Sequence, residues 1–180
     1  MNYSQTLAWL FQRLPMYQRV GAPAMRLGLD QMNRLSAALG NPHRSLKCIH
    51  IAGTNGKGST AHMLASVLQT AGYTVGLYTS PHLQDFRERI KINGQPIDKK
   101  TVVDFVNQHL ETLEAGNYSF FEATVGMAFS SFAHAQVDVA IIEVGLGGRL
   151  DATNIITPIL SVITHISKDH QQFLGDRRAH

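Results

Sequence analysis

Apolar residues along the chain follow a helical period first and a strand-like pattern later, with the change near residue 45. Residues 4–14 carry leucine and phenylalanine at i, i+3, i+4 and i+7, the spacing of one helix face. A second helical stretch, residues 29–39, runs into Gly40-Asn41-Pro42, and glycine followed by proline is typical beyond a helix C-terminus. The pattern predicts a small N-terminal helical segment, residues 1–44, packed on the domain that follows.

After residue 45, short apolar runs alternate with helical periods, which is the pattern of strands that cross over to parallel neighbours. The predicted strands are 46–52, 75–79, 137–144 and 159–164, and the predicted helices are 57–70, 101–114 and 122–135. The last two strands lack polar alternation, so we expect them to be central in the sheet. Asn93-Gly94, between short alternating runs in residues 88–98, predicts a hairpin with a type I′ turn. Residues 45–180 are therefore predicted to form a doubly wound α/β domain with a mostly parallel sheet.

A glycine-rich turn joins the first predicted strand to its helix and reads Gly53-Thr54-Asn55-Gly56-Lys57-Gly58-Ser59-Thr60. Its glycines allow backbone N–H groups to point inward, the helix N-terminus adds partial positive charge, and Lys57 adds a full charge. The spacing departs from the usual phosphate loop, because Gly58 occupies the position of the hydroxyl residue. The turn predicts an anion site and a sheet of the P-loop NTPase type. The alternative is a plain glycine turn, and in either case we expect Lys57 to face solvent without a ligand.

Polar side chains follow three other predicted strands at their carboxyl ends. Ser80 follows the second strand, Glu143 closes the strand over 137–144, and His170 follows the last. Because these ends meet at one edge of a parallel sheet, the residues predict a magnesium site beside the anion site. Histidine is the least usual of the three ligands for this metal. The alternatives are a strand-end carboxylate held by arginine or amides at Glu143, a turn serine at Ser80 and a loop histidine at His170.

Composition and charge exclude several other classes of protein. The formal net charge is +3 and the basic residues are scattered, so no nucleic-acid surface is predicted. No apolar stretch approaches the roughly 20 residues that a membrane-spanning helix needs. Cys48 is the only cysteine, which excludes an intrachain disulfide and favours a reducing cytoplasm.

Four blocks together resemble the folylpolyglutamate synthase and dihydrofolate synthase family within the Mur ligase group. They are GTNGKGST at 53–60, SPH at 80–82, EVGLGGRLDATN at 143–154 and DHQQFLG at 169–175. The resemblance implies the central ATPase domain of that group, and an enzyme that uses ATP and Mg²⁺ to activate a folate carboxylate as an acyl phosphate. The amine of L-glutamate then forms the amide. Dihydropteroate is an open alternative as the acceptor.

The same resemblance implies residue roles. Residues that would hold the ATP phosphates are Thr54, Asn55, Gly56, Lys57, Gly58 and Ser59, and those that would hold magnesium are Ser80, Glu143 and His170. Lys57, Glu143 and His170 would be the catalytic residues. Segments that would bind the pterin are Ser119, Phe120, Phe121 and Glu122, together with Leu150, Asp151 and Ala152. Ser119-x-x-Glu122 is also a capping box that would open the next helix with its phenylalanines in the core. We expect Asp151 to lie in an exposed loop whose composition has little value for packing.

The resemblance also implies features that this sequence lacks. Family members continue with a lysine that helps to hold a second magnesium ion and with a carboxy-terminal domain, so the ATPase domain over 45–180 is expected to be incomplete. One alternative is therefore a truncated ATP-binding fragment without turnover. Another is a Mur-type ligase that acts on a peptidoglycan precursor, which GLGGRLDATN disfavours. The expected partners are the small-molecule substrates alone, and the expected state is a monomer.

Overall fold

The computed structural model describes residues 1–15 and 28–167, and these residues form an α/β domain. The α-helices are α1 (Tyr3–Arg13), α2 (Asp30–Ala38), α3 (Lys57–Thr70), α4 (Lys99–Gln108), α5 (Leu110–Ala115) and α6 (Phe120–His134). The strands are β1 (Cys48–Ala52), β2 (Val75–Tyr78), β3 (Ile90–Ile92), β4 (Gln95–Pro96), β5 (Val139–Glu143) and β6 (Leu160–Ile163). Short 3-10 helices span Pro42–Ser45, Phe86–Arg89 and Ala152–Ile155.

The six strands form one sheet in the order β4-β3-β2-β5-β1-β6. The four strands β2, β5, β1 and β6 are parallel to one another. Strand β3 pairs antiparallel with β2, and β4 pairs antiparallel with β3. The predicted mostly parallel, doubly wound sheet is confirmed. Its consequence for the site is that the carboxyl ends of four strands, and the loops that follow them, lie along the same edge.

Helices cover both faces of the sheet. One cluster of buried apolar side chains lies between the sheet and helices α1, α2, α4, α5 and α6, and a smaller one lies between the sheet and α3. Helix α6 is apolar on most of its surface and runs through the larger cluster. Helices α1 and α2 pack on α4 and α6 respectively. They share one core with the sheet, and the predicted division at residue 44 stays a prediction. No helix in the described residues is long and apolar enough to cross a bilayer.

The hairpin prediction is confirmed in its details. Strand β3 pairs antiparallel with both β2 and β4. Asn93 has φ 49° and Gly94 has φ 76°, so both central residues adopt the positive φ that a type I′ turn requires. The hairpin extends the sheet on the side away from β1.

Two predictions about elements are wrong. The helix expected over 101–114 is interrupted at His109, whose φ of −112° and ψ of 15° separate α4 from α5. The strand expected to be central, β6, lies at the edge of the sheet that residues 1–15 and 28–167 form, with Leu160 49% and Ile163 66% exposed. An apolar run indicates that a strand is suited to burial, but it does not say whether a neighbouring strand is present.

Candidate nucleotide and metal site

The turn between β1 and α3 is shaped by two glycines. Gly53 has φ +136°, and a Cβ at this position would collide with Thr164 Oγ1. Gly56 has φ +85° and is the N-cap of α3, which has no side-chain cap. Because the first amides of a helix have no partner within the helix, an uncapped N-terminus leaves N–H groups and partial positive charge for an anion. Helices α1 and α6 instead begin with capping boxes.

Lys57 is partly buried and folds back on its own turn, whereas the sequence predicted a side chain that faces solvent. Its Nζ donates to the carbonyl oxygens of Gly53, at 2.8 Å, and of Thr54, at 3.2 Å. The cause is local, because these carbonyls lie three and four residues before Lys57 and the tight turn aims them at the first turn of α3. The ammonium group is therefore held at the loop.

Thr54 and Asn55 are bonded to the segment that follows β6. The Thr54 hydroxyl donates to the carbonyl oxygen of Ser167 and accepts from its backbone N–H, both at 3.1 Å. The Asn55 side-chain amide donates to Ser167 Oγ at 3.5 Å. Ser59 is exposed in the first turn of α3. All three residues belong to the loop or to the first turn of α3. Thr54 and Asn55 hold the side of the loop that faces the segment after β6, which we call its outer side.

Glu143 and Ser80 come together beside this loop. The backbone N–H of Ser80 donates to Glu143 Oε2 at 3.0 Å. Glu143 Oε1 lies 3.6 Å from the point that a Cβ on Gly58 would occupy. Glu143 is buried, with only 4% of its surface exposed. Burial raises the pKa of its carboxyl group, although the Ser80 amide and the Lys57 charge act in the opposite direction.

The oxygen atoms of the Glu143 and Ser80 side chains are suitable ligands for magnesium. A carboxylate and a serine hydroxyl are hard oxygen ligands, and Mg²⁺ in nucleotide sites is held by one or two such groups together with phosphate oxygens. Within residues 1–15 and 28–167 no group of three His, Cys, Asp or Glu side chains is arranged to hold a metal ion. The third predicted ligand, His170, lies outside the described residues.

The Ser119–Glu122 capping box is confirmed. The backbone N–H of Ser119 donates to Glu122 Oε2 at 2.7 Å, and that of Glu122 donates to Ser119 Oγ at 3.1 Å. Phe120 is 3% exposed and packs on Phe11, with ring centroids 5.4 Å apart. Phe121 is partly exposed, and a Cβ on Gly145 would meet its ring. Of the two phenylalanines, Phe121 is therefore the one that lies at the glycine loop after β5.

Asp151 is buried, with 8% of its surface exposed. The prediction that it lies exposed in the loop is therefore wrong. Its Oδ2 accepts from the backbone N–H of Leu146 at 2.8 Å, and its Oδ1 accepts from the backbone N–H of Thr153 at 2.9 Å and from Thr153 Oγ1 at 2.5 Å. Burial raises the pKa of the Asp151 carboxyl group against these hydrogen bonds. The glycine loop folds around this carboxylate, while Leu150 is 40% exposed and Ala152 is partly buried.

The Asp151 network continues into the sheet through His50, which is not among the predicted site residues. His50 Nε2, on β1, lies 2.8 Å from Thr153 Oγ1. Since the Thr153 hydroxyl donates to Asp151, it accepts from His50, which must therefore carry its proton on Nε2. Burial lowers the pKa of His50, which agrees with the neutral form. The sequence contains no signal that His50 joins this chain of bonds, because it lies 103 residues from Thr153.

Arg89 is a second unpredicted member of this region. It is 4% exposed, its Nε donates to His82 Nδ1 at 2.8 Å, and its guanidinium carbon lies 5.2 Å from the centroid of the Phe120 ring. In the sequence it stands in a run of charged residues beside Arg87, which pairs with Asp85. Only its place at the end of the 3-10 helix Phe86–Arg89, directly before β3, separates Arg89 from an arginine on a solvated face.

Comparison with known proteins agrees with this geometry. A sequence profile of the Mur ligase middle domain matches residues 51–179. The chain belongs to the Mur ligase family. This Mur ligase chain is 42% identical to the dihydrofolate synthase/folylpolyglutamate synthase of Bacillus subtilis, in an alignment that covers 97% of the chain and 40% of the relative.

Solved structures of the same kind of enzyme are similar to the Mur ligase chain. The apo form of L. casei folylpolyglutamate synthase (FPGS) matches with a TM-score of 0.89 and 41% identity, over 99% of this chain and 43% of that one. An FPGS–AMPPCP–folate complex matches with a TM-score of 0.88 and 42% identity over the same shares. The chain thus spans about 40% of the length of the relatives that it resembles.

Proposed function

We propose that this Mur ligase chain binds ATP and Mg²⁺ and serves the ATP-dependent ligation of L-glutamate to a folate. The observation that carries the proposal is the uncapped N-terminus of α3, where Lys57 and the buried Glu143 carboxylate meet at one loop. An anion and a cation site side by side are what a metal-bound polyphosphate requires. The FPGS relatives, one of them in a complex with AMPPCP and folate, support the choice of ligands.

The phosphate loop would stabilise the negative charge of the transferred phosphoryl group. The amides of Gly56, Lys57 and Gly58 lie at the start of α3, and the Lys57 ammonium is already held at the loop. On binding, we expect Lys57 Nζ to exchange two carbonyl oxygens for phosphate oxygens, which are stronger acceptors. Thr54, Asn55 and Ser59 complete the proposed nucleotide-binding set. Phosphoryl transfer needs this positioning and charge neutralisation more than it needs a side-chain nucleophile.

Ser80 and Glu143 would hold Mg²⁺, with His170 proposed as a third ligand. When bound, the metal ion would supply further neutralisation of phosphate charge. The pKa of Glu143 is raised by burial, and a nearby cation favours the ionised form that a metal ligand needs. Lys57, Glu143 and His170 are the residues that we propose as catalytic.

The proposed reaction has two steps, and its atoms balance. A carboxylate oxygen of the folate attacks the γ-phosphorus of ATP and ADP leaves, which gives an acyl phosphate. The amine nitrogen of L-glutamate then attacks the carbonyl carbon, inorganic phosphate leaves and the amine loses a proton. The products are the glutamylated folate, ADP and phosphate, and dihydropteroate would react in the same way.

The acceptor would bind between α6 and the glycine loop after β5. The proposed residues are Ser119, Phe120, Phe121, Glu122, Leu150, Asp151 and Ala152. Among them Phe121, Leu150 and Ala152 retain exposed surface, and we propose that the two large side chains, Phe121 and Leu150, contact the flat pterin ring. The buried members would shape the pocket by fixing the first turn of α6 and the glycine loop.

Calorimetric titration with AMPPCP in the presence of Mg²⁺ tests the proposal. We expect binding by the wild-type chain and a loss of about 10- to 100-fold in Lys57→Ala, since a hydrogen bond to a charged group contributes roughly 1.5–3 kcal/mol. Lys100→Ala is the matched control, because Lys100 is exposed and pairs with Asp104 on the surface of α4, away from the loop. Equal affinity of wild type and Lys57→Ala would place the nucleotide elsewhere.

Release of ADP distinguishes ligation from binding alone. ADP formation that requires both L-glutamate and the acceptor supports the ligase, whereas binding without turnover supports an ATP-binding module. The use of dihydropteroate as well as a folate would assign both synthase activities. The monomeric state, the cytoplasmic location and the absence of nucleic-acid partners stay predictions.

A further inference from the structure

Thr164 and His165, directly after β6, form hydrogen bonds with the phosphate loop (residues 53–58) and with the end of β1. The backbone N–H of Thr164 donates to the carbonyl oxygen of Ala52 at 2.9 Å, which continues the pairing of β6 with β1. The backbone N–H of Thr54 donates to the carbonyl oxygen of His165 at 2.6 Å. These two bonds bring β6 against the outer side of the loop.

The Thr164 hydroxyl reaches further into the loop than the backbone does. Its Oγ1 lies 2.7 Å from the carbonyl oxygen of Asn55 and 3.2 Å from that of Ala52. A hydroxyl has one proton to donate, and the shorter distance assigns it to Asn55. The same atom occupies the space beside Gly53 that a Cβ there would need. Glycine at position 53 and threonine at position 164 thus fit one another.

This hydrogen bond fixes the orientation of a peptide group at the start of α3. In a planar trans peptide the C=O and the following N–H point in opposite directions. Because Thr164 holds the Asn55 carbonyl on the outer side, the Gly56 N–H is turned to the inner side of the loop. Gly56 is the N-cap residue of α3 and has φ +85°, so this peptide also sets the direction from which the helix begins.

We propose that Thr164 is a positioning residue for nucleotide binding, acting through the bond from its hydroxyl to the Asn55 carbonyl. The hydroxyl holds the Asn55–Gly56 peptide in the orientation that presents the Gly56 amide to a phosphate. Thr164 itself contacts the loop and not the nucleotide. The inference rests on the proposed function for the identity of the ligand, and on the hydrogen bonds of the described residues for the role of Thr164.

Three variants of the full chain test the role of the hydroxyl. Thr164→Ala removes it and leaves the backbone bonds of residue 164 in place, so the fold is retained. Thr164→Ser keeps the hydroxyl and removes only the methyl group. Thr70→Ala is the matched control, because the Thr70 hydroxyl donates to the Ser66 carbonyl oxygen near the far end of α3. The measurements are the Kd for AMPPCP with Mg²⁺, the thermal midpoint, and hydrogen exchange of the loop peptide without nucleotide.

Thr164→Ala is expected to bind AMPPCP about three- to tenfold more weakly, as follows from the loss of one hydrogen bond that orients the binding group. Its loop amides are expected to exchange faster than those of the wild type before any nucleotide is added. Thr164→Ser and Thr70→Ala should match the wild type in affinity and in exchange, and all three variants should keep a thermal midpoint close to that of the wild type.

Unchanged affinity and unchanged exchange in Thr164→Ala would overturn the inference. Equal losses in Thr164→Ser and Thr164→Ala would also overturn it, because the methyl group and not the hydroxyl would then matter. If the wild-type chain itself binds no AMPPCP, the proposed function fails. Wild-type binding that Thr164→Ala leaves intact contradicts the role of Thr164 alone.

Discussion

Glu143 is a carboxylate in a position where a charge lowers the stability of the fold. It is almost fully buried at the end of β5, and burial raises its pKa. A neutral side chain of the same shape would avoid this desolvation cost. The hydrogen bond from the Ser80 amide and the Lys57 charge offset the cost only in part, since the net shift of the pKa remains upward. A destabilising charge of this kind at the carboxyl end of a parallel strand is typical of a functional site.

Glu143→Gln should therefore leave the thermal midpoint within about 2 °C of the wild type or raise it, while removing the effect of Mg²⁺ on nucleotide binding. The sign follows from the raised pKa. Below the carboxyl's ordinary pKa of about 4.3, both states of the wild type are neutral. As the pH rises through the higher pKa of the folded state, the wild type loses stability that the glutamine variant keeps.

Urea unfolding at several pH values, together with AMPPCP titration with and without Mg²⁺, measures both effects. Glu111→Gln, on the exposed side of α5, serves as the control. A large loss of stability in Glu143→Gln with a normal response to Mg²⁺ would show that the carboxylate serves the fold and not the metal.

Lys57 and Asp151 show why single side chains were harder to predict than the loops that carry them. The glycine spacing predicted an anion site between β1 and α3, and the structure places an uncapped helix there. The sequence did not indicate that Lys57 bonds to the carbonyl oxygens of its own turn. Asp151 reads as a loop residue because the amides of Leu146 and Thr153 reach it only after the loop has folded.

At the scale of elements, β1 and the loop after β5 are joined by a buried chain of hydrogen bonds from His50 through Thr153 to Asp151. Strand β1 leads directly into the phosphate loop, and the loop that contains Asp151 is the proposed acceptor site. The chain of bonds therefore ties the two proposed binding regions to one rigid strand. Removal of the Thr153 hydroxyl would take the hydrogen-bond acceptor from His50 Nε2 and one of its three donors from Asp151.

Thr153→Val is expected to lower the free energy of unfolding by about 1–3 kcal/mol, because His50 and Asp151 each lose a partner in a buried environment. Valine has nearly the same shape, so the packing is conserved. Thr153→Ser keeps the hydroxyl and should remain within about 1 kcal/mol of the wild type. Urea unfolding at neutral pH measures the difference. Equal stability of the valine and serine variants would mean that the chain of bonds contributes nothing.

Periodicity predicted most elements because each depends on local sequence. Helix α3 matches its predicted bounds, 57–70, and the Asn93-Gly94 turn has the backbone angles that its type requires. Helix α4 ends at a backbone kink at His109 that apolar spacing does not encode. The position of β6 depends on which strands are its neighbours, and strand order is a property of the whole sheet.

For the whole molecule, the parallel sheet is what brings the candidate residues together. The phosphate loop, Ser80, Glu143 and Thr164 come from four segments that are far apart in sequence, and each follows or closes a parallel strand. This convergence could be predicted once the strands were assigned as parallel. The chain spans about 40% of the length of its relatives, and β6 leaves Leu160 and Ile163 exposed at the sheet edge. The described residues contain the phosphate loop and two of the proposed metal ligands, Ser80 and Glu143.

The proposed function depends on the binding of a nucleotide phosphate at the N-terminus of α3. An amide ¹H–¹⁵N NMR titration of the chain with AMPPCP and Mg²⁺ tests it most directly, because it reports each backbone N–H separately. We expect the largest shifts at Gly56, Lys57 and Gly58, smaller shifts at Ser80 and Thr164, and none in the hairpin at Asn93. Saturable binding with the largest shifts elsewhere, and with the three loop amides unmoved, would contradict it.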